Sequence, residues 1–484
     1  LAVAVPPSAD GQLARTPGVL QLAPDARARV LGGGSLDGGP ASVYRKVVGA
    51  DDASARAGAD GSGIGVAVID TGIADVPDLA RRVQPVVDDN GREQRCLNLS
   101  GEPDCRDSYG HGTFIAGLIA GDGSSSGGVV RGVAPGARLT SVKVAGRDGS
   151  TDVSTILAAI QWAVTYKDQY GLRVLNLSLG TDSSQSYRVD PLNFAVEKAW
   201  AAGLAVVVAA GNLGPDAATV TKPADDPFVI SVGAVDDRGT AGLGDDLLPN
   251  FSSRGPTLAD GLSKPDLVAP GGHLLSLRAP GSTIDTQFPP TSPGPYRRGS
   301  GTSMSAAVVS GAVALMLQMD PSLTPDRLKF ALADTAAGAA DTDPHAVGAG
   351  VPSAYRAVTS AGPGVANIGV ARSNGLGRLD LSRGSVSVQA DGLVGLPLDA
   401  TTSAQLLLWR PTAYTASAWS DASWTRSPFA DVMWPGTTWA EGRNWQGRNW
   451  QGRNWQGATS YDQPEDSASY GRGGDGSASL GAWD

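Results

Sequence analysis

The chain has few of the residues that bind metals or form cross-links. Its 484 residues include only two cysteines, Cys96 and Cys105, and three histidines. Two thiols without nearby histidines supply too few ligands for a zinc site. The favoured interpretation is a disulfide that closes a small surface loop, and free thiols in a reducing compartment are the alternative. A disulfide would indicate export from the cytoplasm.

Long apolar runs are also absent. No stretch of about 18 consecutive apolar residues occurs, so no membrane span is expected. The formal net charge of −10 argues against nucleic acid and anionic membranes as partners. The chain begins at Leu1 without an initiator methionine or a signal-peptide pattern. We therefore expect a processed or trimmed product whose export signal has been removed.

The hydrophobic pattern from about residue 60 to residue 335 predicts the fold class. Hydrophobic residues make up 41% of the chain, enough for an ordinary core, and 65 glycines suit many tight turns. Strands that are apolar on both faces and interleaved with helices predict an α/β fold with a doubly wound, mainly parallel sheet. Apolar runs occur at residues 64–69, 139–144, 174–179, 204–210 and 228–235, and helical patterns at 153–166, 191–202 and 304–319.

Three short segments carry the groups that activate a serine hydroxyl. Asp70 ends the first apolar run, His111 stands between two glycines, and Ser303 opens a helical pattern. A hydroxyl becomes a good nucleophile when an imidazole removes its proton and a carboxylate orients that imidazole. Taken singly, the three residues could be a turn cap, a core histidine and a helix cap. Their combination favours a catalytic triad.

A fourth segment contributes an amide side chain. The apolar run at residues 204–210 is followed by Gly211 and Asn212. At the carboxyl edge of a parallel sheet, where ligands bind, Asn212 could donate a hydrogen bond to an oxyanion that develops on a substrate carbonyl. An asparagine that precedes a Gly-Pro pair can also serve only as a turn residue. Beside the three triad segments, the oxyanion role is favoured.

Nine motifs in a fixed order make the region from about 60 to 335 resemble the subtilisin family (subtilases) of serine endopeptidases. The resemblance implies a subtilisin-like, seven-stranded, mainly parallel sheet with helices on both faces. It also implies peptide-bond hydrolysis through an acyl-enzyme, with Asp70, His111 and Ser303 as the triad and Asn212 as the oxyanion donor. The motifs are VAVIDTGI, GHGTFIAG, RGVAPGARLTSVKV, VLNLSLG, VVVAAGN, VISVGAVD, FSSRGP, KPDLVAPG and SGTSMSAA.

The same resemblance implies a surface for polypeptide substrates. The strand that pairs with the substrate backbone would contain Ser178, Leu179 and Gly180, and the facing segment Gly149 and Ser150. The wall of the primary pocket would contain Ala210 and Gly211. Thr221 would lie at the floor of that pocket and narrow it, so that a small or medium apolar residue fits better than a large aromatic one.

Some segments depart from the family pattern. Residues 304–308 read MSAAV where many members have Ser-Pro-His or Thr-Pro-His, which changes helix packing but removes no catalytic group. Residues 122–128, DGSSSGG, replace an asparagine-bearing loop that binds calcium in relatives, so a strong calcium site is not expected there. No cofactor is expected to be required. Inserts near residues 88–105 and 289–297 are expected to border the cleft.

The domain organisation is predicted to have three parts. Residues 1–45 form a propeptide remnant or N-terminal extension, residues 46–385 the catalytic domain, and residues 386–484 a low-complexity tail. Residues 12–32 resemble the end of the family's inhibitory propeptide, with its last strand near residues 17–25. The chain's own propeptide is thus an expected partner, and maturation is expected to cut between about Gly32 and Val48.

The tail is rich in aromatic residues. Nine of the eleven tryptophans lie after residue 385, at a spacing near five residues that ends in three GRNWQ copies. Neither a helix nor a strand would collect such rings on one side. The tail could bind a partner or a cell-wall polymer, wrap the catalytic domain, or be a disordered product of repeat slippage.

The predicted function is that of a secreted endopeptidase, and association with the cell surface is a further expectation. Two alternatives remain at this point. One is an inactive subtilase-like scaffold whose tail mediates binding, and the other is a surface-assembly protein in which proteolysis serves only self-maturation.

Overall fold

A computed structural model describes residues 27–30, 42–87, 91–289, 294–339, 341–377 and 379–382. The strand predicted near residues 17–25 and the aromatic tail at residues 386–484 lie outside the described residues, as do parts of the two predicted inserts. The predicted division into three domains therefore stays a prediction.

The centre of the molecule is a seven-stranded sheet in which every neighbouring pair is parallel. In chain order its strands are β2 (Gly65–Asp70), β5 (Cys96–Asn98), β6 (Arg138–Lys143), β8 (Leu172–Leu177), β10 (Ala205–Ala209), β11 (Ile230–Val235) and β12 (Leu267–Pro270). Their spatial order is β12-β11-β10-β8-β2-β6-β5. Strands β2, β10 and β11 are buried at every position, so both faces of the sheet are covered.

In the described part of the chain, seven shorter strands lie outside this sheet. They are β1 (Arg27–Val30), β3 (Val86–Val87), β4 (Glu93–Gln94), β7 (Ser150–Asp152), β9 (Leu179–Gly180), β13 (Leu274–Leu277) and β14 (Tyr296–Gly299). They form a three-stranded sheet β7-β1-β9 and the antiparallel pairs β3-β4 and β13-β14. Single 3-10 turns occupy Pro77–Leu79, Ser124–Ser126 and Leu243–Asp245.

The longer helices cover the two faces of the sheet. Helix α8 (Thr302–Met319) packs against β8, β10, β11 and β12, and beside it α3 (His111–Ala120) packs on α8 and β2. A second pair, α4 (Val153–Thr165) and α6 (Pro191–Ala201), packs together and contacts β2 and β10. The other helices are α1 (Tyr44–Val47), α2 (Ala50–Ala57), α5 (Lys167–Tyr170), α7 (Thr283–Gln287), α9 (Pro325–Asp334), α10 (Pro344–Val347), α11 (Ala354–Thr359) and α12 (Leu379–Ser382).

Helix α8 is long and apolar enough, by composition alone, to cross a membrane, but 89% of it is buried inside the protein. Its small residues explain that position. Gly311 lies so close to its neighbours that a Cβ atom there would stand 2.6 Å from Cβ of Val133. The helix can therefore run close to the adjoining chain through the middle of the core.

The α/β fold predicted from the sequence is confirmed, and most elements lie within about two residues of their predicted positions. One difference concerns the cysteine segment, which was expected to be a surface loop. Cys96 begins β5, the edge strand of the main sheet, and is 3% exposed. Residues 96–98 pair with β6, so tertiary pairing makes a strand of a short segment with little strand propensity of its own.

The chain order places one strand at a topological switch point. Strand β2 lies between β6 and β8, and the chain passes to one side of it and then to the other. In open parallel sheets the crevice at such a point, outside the carboxyl ends of the strands, is where ligands bind. Asp70 is the last residue of β2 and therefore lies at this crevice.

The C-terminal part of the described chain covers α6 and its buried acidic groups. The Ser373 amide donates to Glu197 Oε1 (2.8 Å), and the Ser373 hydroxyl donates to the Asp190 carbonyl (3.2 Å). Glu197 lies beside Asp226, and both side chains are almost fully buried. Burial, and then the charge of Asp226, raises the pKa of Glu197 to about 9. One proton held between the two carboxyl groups keeps both from being charged at neutral pH.

This pair predicts that stability falls as the pH rises from about 4.3, the pKa of glutamate in the unfolded chain, to about 9, the pKa of Glu197 in the folded protein. Because the pKa of Glu197 is raised in the folded state, the folded protein holds a proton that the unfolded chain releases above about pH 4.3. Its contribution to stability is therefore complete at low pH and is lost as pH rises toward 9. Glu197→Gln, which imitates the protonated form, should flatten this decline. We expect its melting temperature to gain several degrees over the wild type between about pH 6 and pH 9.

The control is Glu93→Gln, which makes the same change on an exposed strand. Thermal unfolding of Glu93→Gln should follow the wild-type decline. Parallel curves for Glu197→Gln and the wild type would contradict a proton shared in the folded state.

Candidate active site

A carboxylate and an imidazole meet at the switch point. His111 is the first residue of α3, and its Nδ1 lies 2.8 Å from Oδ1 and 2.9 Å from Oδ2 of Asp70. Both residues are only 1% exposed. The Thr71 amide donates to Asp70 Oδ1 (2.7 Å) and holds the carboxylate in place. A carboxylate on Nδ1 leaves the imidazole's Nε2 to act as the base.

A close approach of two backbone segments makes this pairing possible. A Cβ atom on Gly112 would lie 2.1 Å from the Gly72 carbonyl oxygen and 3.2 Å from Asp70 Oδ1. Only glycine lets the first turn of α3 lie directly against the end of β2. The Gly112 amide donates to the Thr71 hydroxyl (2.9 Å) across this contact. The glycine after His111 therefore sets the distance between the base and its carboxylate.

A buried carboxylate that the sequence analysis did not identify supports the same corner. Oδ1 of Asp107 accepts bonds from the Gly110 amide (2.6 Å) and the Thr71 hydroxyl (2.8 Å), and Oδ2 accepts from the Thr113 amide (2.8 Å) and hydroxyl (2.6 Å). Burial raises the pKa of Asp107, and these four hydrogen bonds oppose that rise. Asp107 thus fixes the start of α3 to the residue after Asp70. An aspartate shortly before a predicted helix is a capping signal that could have identified it.

The candidate nucleophile lies at the start of the core helix. Ser303 is the second residue of α8, is fully buried, and donates from Oγ to the Ser178 carbonyl (3.4 Å). Ser178 in turn donates from its own hydroxyl to the Ser303 carbonyl (3.2 Å). Gly301, which precedes the helix, has φ +152°, a conformation that favours glycine. This turn sets Ser303 at the positive end of the helix dipole.

The amide of Asn212 is oriented by its neighbours. Its Oδ1 accepts from the Thr302 amide (3.0 Å) and the Thr302 hydroxyl (2.9 Å). Because the Thr302 N–H can only donate, the oxygen of the Asn212 amide must face the helix and its Nδ2 must face away. Within the described chain, Nδ2 has no hydrogen-bond acceptor. Nδ2 can therefore donate a hydrogen bond to a bound ligand.

The structure brings together two of the predicted substrate-binding segments and a strand of the chain itself. Strand β1 lies between β7 and β9 and is antiparallel to both. Arg29 pairs with Ser150 on one side and Gly180 on the other, and Val30 pairs with Leu179. Gly149, just before β7, has φ +69° and packs against the Tyr109 ring. The two edges thus form a slot that accepts an extended backbone.

The predicted primary pocket is also assembled in one place. The Thr221 side chain lies between Gly180 and Gly211, because a Cβ atom on either glycine would stand within 3 Å of it. Its amide and hydroxyl both donate to the Ala210 carbonyl (2.9 and 3.2 Å). Thr221 is 3% exposed. A threonine between the two pocket walls leaves less space than a smaller residue would.

The disulfide that the sequence predicted is present and joins β5 to the loop that follows it, through Cys96 and Cys105. Glu102 inside this loop accepts from Lys143 Nζ (2.7 Å), the Ser108 hydroxyl (2.6 Å) and the Arg147 amide (2.9 Å). Partial burial raises the pKa of Glu102, but the bonds from Lys143 and Ser108 outweigh it, and the net change is a lower pKa. The loop therefore ties the end of β6 to the segment before β7.

No group of three or more His, Cys, Asp or Glu side chains that could hold a metal ion occurs among the residues that the structure describes. In the turn of residues 122–128, the Ser125 amide donates to Oδ2 of Asp78 (3.2 Å), and the Tyr296 hydroxyl donates to Oδ1 (2.9 Å). The expectation that no strong calcium site lies in this turn stays a prediction.

Comparison with known proteins identifies a family for the chain. The sequence pattern described as the Subtilase family matches residues 61–350. The chain is 42% identical over 304 residues to Serine protease AprX of Bacillus subtilis (strain 168), and the match covers 62% of this chain and 66% of that protein. It is 36% identical over 291 residues to Subtilisin Savinase of Lederbergia lenta, covering 60% of this chain and 90% of that protein.

A third relative, M-protease of Shouchella clausii (strain KSM-K16), is 36% identical over 291 residues, and the match covers 60% of this chain and 63% of M-protease. The chain thus spans slightly less than two thirds of two of these relatives. The matches confirm the family predicted from the sequence. The relatives' names, serine protease and subtilisin, agree with the predicted class of enzyme.

The network around Asp107 predicts a positioning role that can be measured. Asp107→Asn replaces one accepting oxygen by an amide that cannot accept the bonds now made to it, which should loosen the start of α3. We expect the rate at which a fluorophosphonate modifies Ser303 to fall about 10- to 100-fold, as for small misplacements of reacting groups. The pH at which this rate is half-maximal should also shift, because the environment of His111 changes.

Asp104→Asn is the matched control, since the Asp104 carboxylate is partly exposed and, among the described residues, bonds only to Arg106. It should react at the wild-type rate. A folded Asp107→Asn protein with an unchanged rate and pH profile would contradict the positioning role.

Proposed function

The chain belongs to the subtilase family, and from that premise we propose that it is a serine endopeptidase acting on extended polypeptides. The observation that carries this proposal is the strand β1, held antiparallel between β7 and β9. A peptide backbone bound in this slot runs toward Ser178, whose carbonyl is bonded to Ser303. Backbone pairing of this kind binds a polypeptide with little dependence on its side chains.

The proposed reaction uses Ser303 as the nucleophile. His111 removes the hydroxyl proton as Ser303 attacks the substrate carbonyl, and Asp70 stabilises the imidazolium that forms. Asn212 Nδ2 donates to the oxyanion, together with the backbone N–H of Ser303 at the start of α8. His111 then returns the proton to the leaving amine, and water hydrolyses the acyl-enzyme. Losing one such oxyanion donor typically costs about 2.7 to 4 kcal/mol in the transition state.

The slot and its pocket also suggest a preference at the residue before the cleaved bond. Because Thr221 fills part of the space between Gly180 and Gly211, we propose that a small or medium apolar side chain fits best there. No cofactor takes part in the proposed steps, and a structural calcium ion is not required by them.

We propose further that the chain's own N-terminal segment is the first substrate. Arg29 pairs with Gly180 and Val30 with Leu179. The same antiparallel register, continued by one residue, would set the next residue opposite Ser178, whose carbonyl is bonded to Ser303. The bond that we propose to be cut is therefore the one between Leu31 and Gly32, immediately before the interval from about Gly32 to Val48 that the sequence predicted. Leu31 is a medium apolar residue, in agreement with the pocket proposed above.

Export is proposed on the strength of the disulfide between Cys96 and Cys105, because such bonds persist mainly in oxidising compartments. Association with the cell surface or a wall polymer through the tail concerns residues outside those described and stays a prediction. A protein that cleaves only itself is the main alternative, and it has the same site.

The proposed nucleophile can be tested by chemical labelling. A fluorophosphonate probe should modify the folded protein at a single residue, Ser303, and Ser303→Ala should not be labelled. Ser305→Ala is the control, since the Ser305 hydroxyl donates to the Ala269 carbonyl and is directed away from the slot. Labelling that persists in folded Ser303→Ala would contradict the proposal. Casein hydrolysis by the protein that the probe can label would then distinguish a general endopeptidase from one that cleaves only itself.

The proposed first cleavage predicts a defined N-terminus. The active protein should begin at Gly32 by N-terminal sequencing, and Ser303→Ala should keep its upstream segment. Leu31→Asp should slow the cleavage about 10-fold or more, because a charge would enter an apolar pocket. Leu36→Asp, five residues downstream, should mature at the wild-type rate. A mature N-terminus elsewhere, or cleavage of purified Ser303→Ala, would contradict the assignment.

A further inference from the structure

The loop that follows β11 closes on itself at two aspartates. The Asp236 amide donates to the Leu247 carbonyl (2.8 Å), and the Leu247 amide donates back to the Asp236 carbonyl (3.0 Å). Asp237 and Asp246 are the next residues inside this loop, one on each side. Residues that neighbour such an antiparallel bridge stand close together. Asp237 and Asp246 are therefore neighbours at the neck of the loop that contains residues 236–247, and the charge of Asp237 acts on Asp246.

The two carboxylates are buried and only partly bonded. Asp237 is 3% exposed and Asp246 2% exposed. Oδ1 of Asp237 accepts from the Gly239 amide (2.9 Å). Among the described residues, Oδ2 of Asp237 and both oxygens of Asp246 have no hydrogen-bond donor. Three buried carboxylate oxygens without donors are costly unless a proton or a cation satisfies them.

The charges around the neck do not neutralise it. The charges that act on Asp246 are those of Asp237, Asp245 and Asp236, and all are negative. Asp236 is itself paired with His273 (2.7 Å), and the Asp245 carboxylate accepts from the Thr240 hydroxyl (2.8 Å).

For Asp237, the acting charges are Asp236, His273 and Arg298, and Arg298 donates to the His273 carbonyl (2.8 Å). Burial raises the pKa of Asp237 to about 6, and burial followed by the charge of Asp237 raises that of Asp246 to about 6. Neither carboxylate has an ion-pair partner among the described residues, and three of their four oxygens have no hydrogen-bond donor there.

We propose that Asp237 and Asp246 bind a hard cation, of which Ca²⁺ is the typical example, at the neck of the 236–247 loop. Oxygen is the ligand that such ions prefer, and backbone carbonyls and water commonly complete their coordination. Two carboxylates make a weak site, so we expect a dissociation constant of about 10⁻⁴ to 10⁻³ M, as in extracellular calcium-binding modules.

The site would support the nucleophile's helix from a distance. Asp236, beside the neck, pairs with His273, and the His273 amide donates to the Ser300 hydroxyl (2.9 Å). The Gly271 carbonyl accepts from the Gly301 amide (2.8 Å), directly before α8. A cation that holds the loop closed would therefore stabilise the segment on which the start of α8 rests.

The test uses the Ser303→Ala protein, dialysed against a chelator to prevent self-digestion and remove bound ions. Calcium chloride, added to about a hundred times the dissociation constant, should raise its melting temperature by several degrees. Sodium chloride of matched ionic strength should not. Asp246→Asn should abolish the calcium effect and should be at least as stable as its parent without calcium, because one unsatisfied charge is removed. Calorimetric titration with calcium should show one binding site fewer in the Asp246→Asn protein than in its Ser303→Ala parent.

Asp245→Asn is the matched control, since it removes the same charge from the adjacent, exposed residue. It should keep the calcium response. A calcium response that survives in Asp246→Asn would overturn the proposal, because the ion would then bind elsewhere. So would a protein that ignores calcium but melts higher as the pH falls from about 7 to 5, since a shared proton would then satisfy the pair.

Discussion

The candidate site depends on how closely the first turn of α3 approaches the end of β2. The Gly112 backbone lies where any Cβ atom would collide with the Gly72 carbonyl, and this contact brings His111 to Asp70. This close packing is stabilised by hydrogen bonds to Asp107, which accepts from both sides of the contact. His111 is thereby fixed to the sheet beside Asp70. Helix α8, buried along the middle of the core, carries the proposed nucleophile, Ser303, in its first turn.

The edges of β7 and β9 that pair with β1 would have unpaired backbone groups if β1 were absent. Strands β7 and β9 carry backbone donors and acceptors that a free edge would leave open to other chains. In this structure the protein's own residues 27–30 pair with both edges. The same pairing that keeps the edges from aggregating also keeps a foreign peptide out of the slot. If the N-terminal segment is cleaved as proposed, its release would expose both edges and open the slot in one step.

The sequence predicted those parts of the molecule that depend on local pattern. The apolar runs that became β2, β10 and β11 are buried on both faces. Their apolar composition was enough to predict that they are buried strands of a parallel sheet. Strand β5 was missed because Cys96–Asn98 is only three residues long and becomes a strand by pairing with β6. Asp107 was missed because its importance comes from bonds to Thr71, a residue 36 positions away in sequence. Pairings of this kind leave no periodic signal, whereas motifs such as GHGTFIAG do.

Two buried pairs of acidic residues illustrate how the same electrostatic problem has different physical solutions. Glu197 and Asp226 touch each other, and the high pKa of Glu197 means that a proton remains between them in neutral solution. Asp237 and Asp246 are buried to a similar extent, and the pKa of each is raised less, to about 6. Three of their four carboxylate oxygens have no hydrogen-bond donor among the described residues. A pair that shares a proton needs no other ligand, whereas two carboxylates without donors are stabilised by a cation, which is the solution proposed for the 236–247 loop.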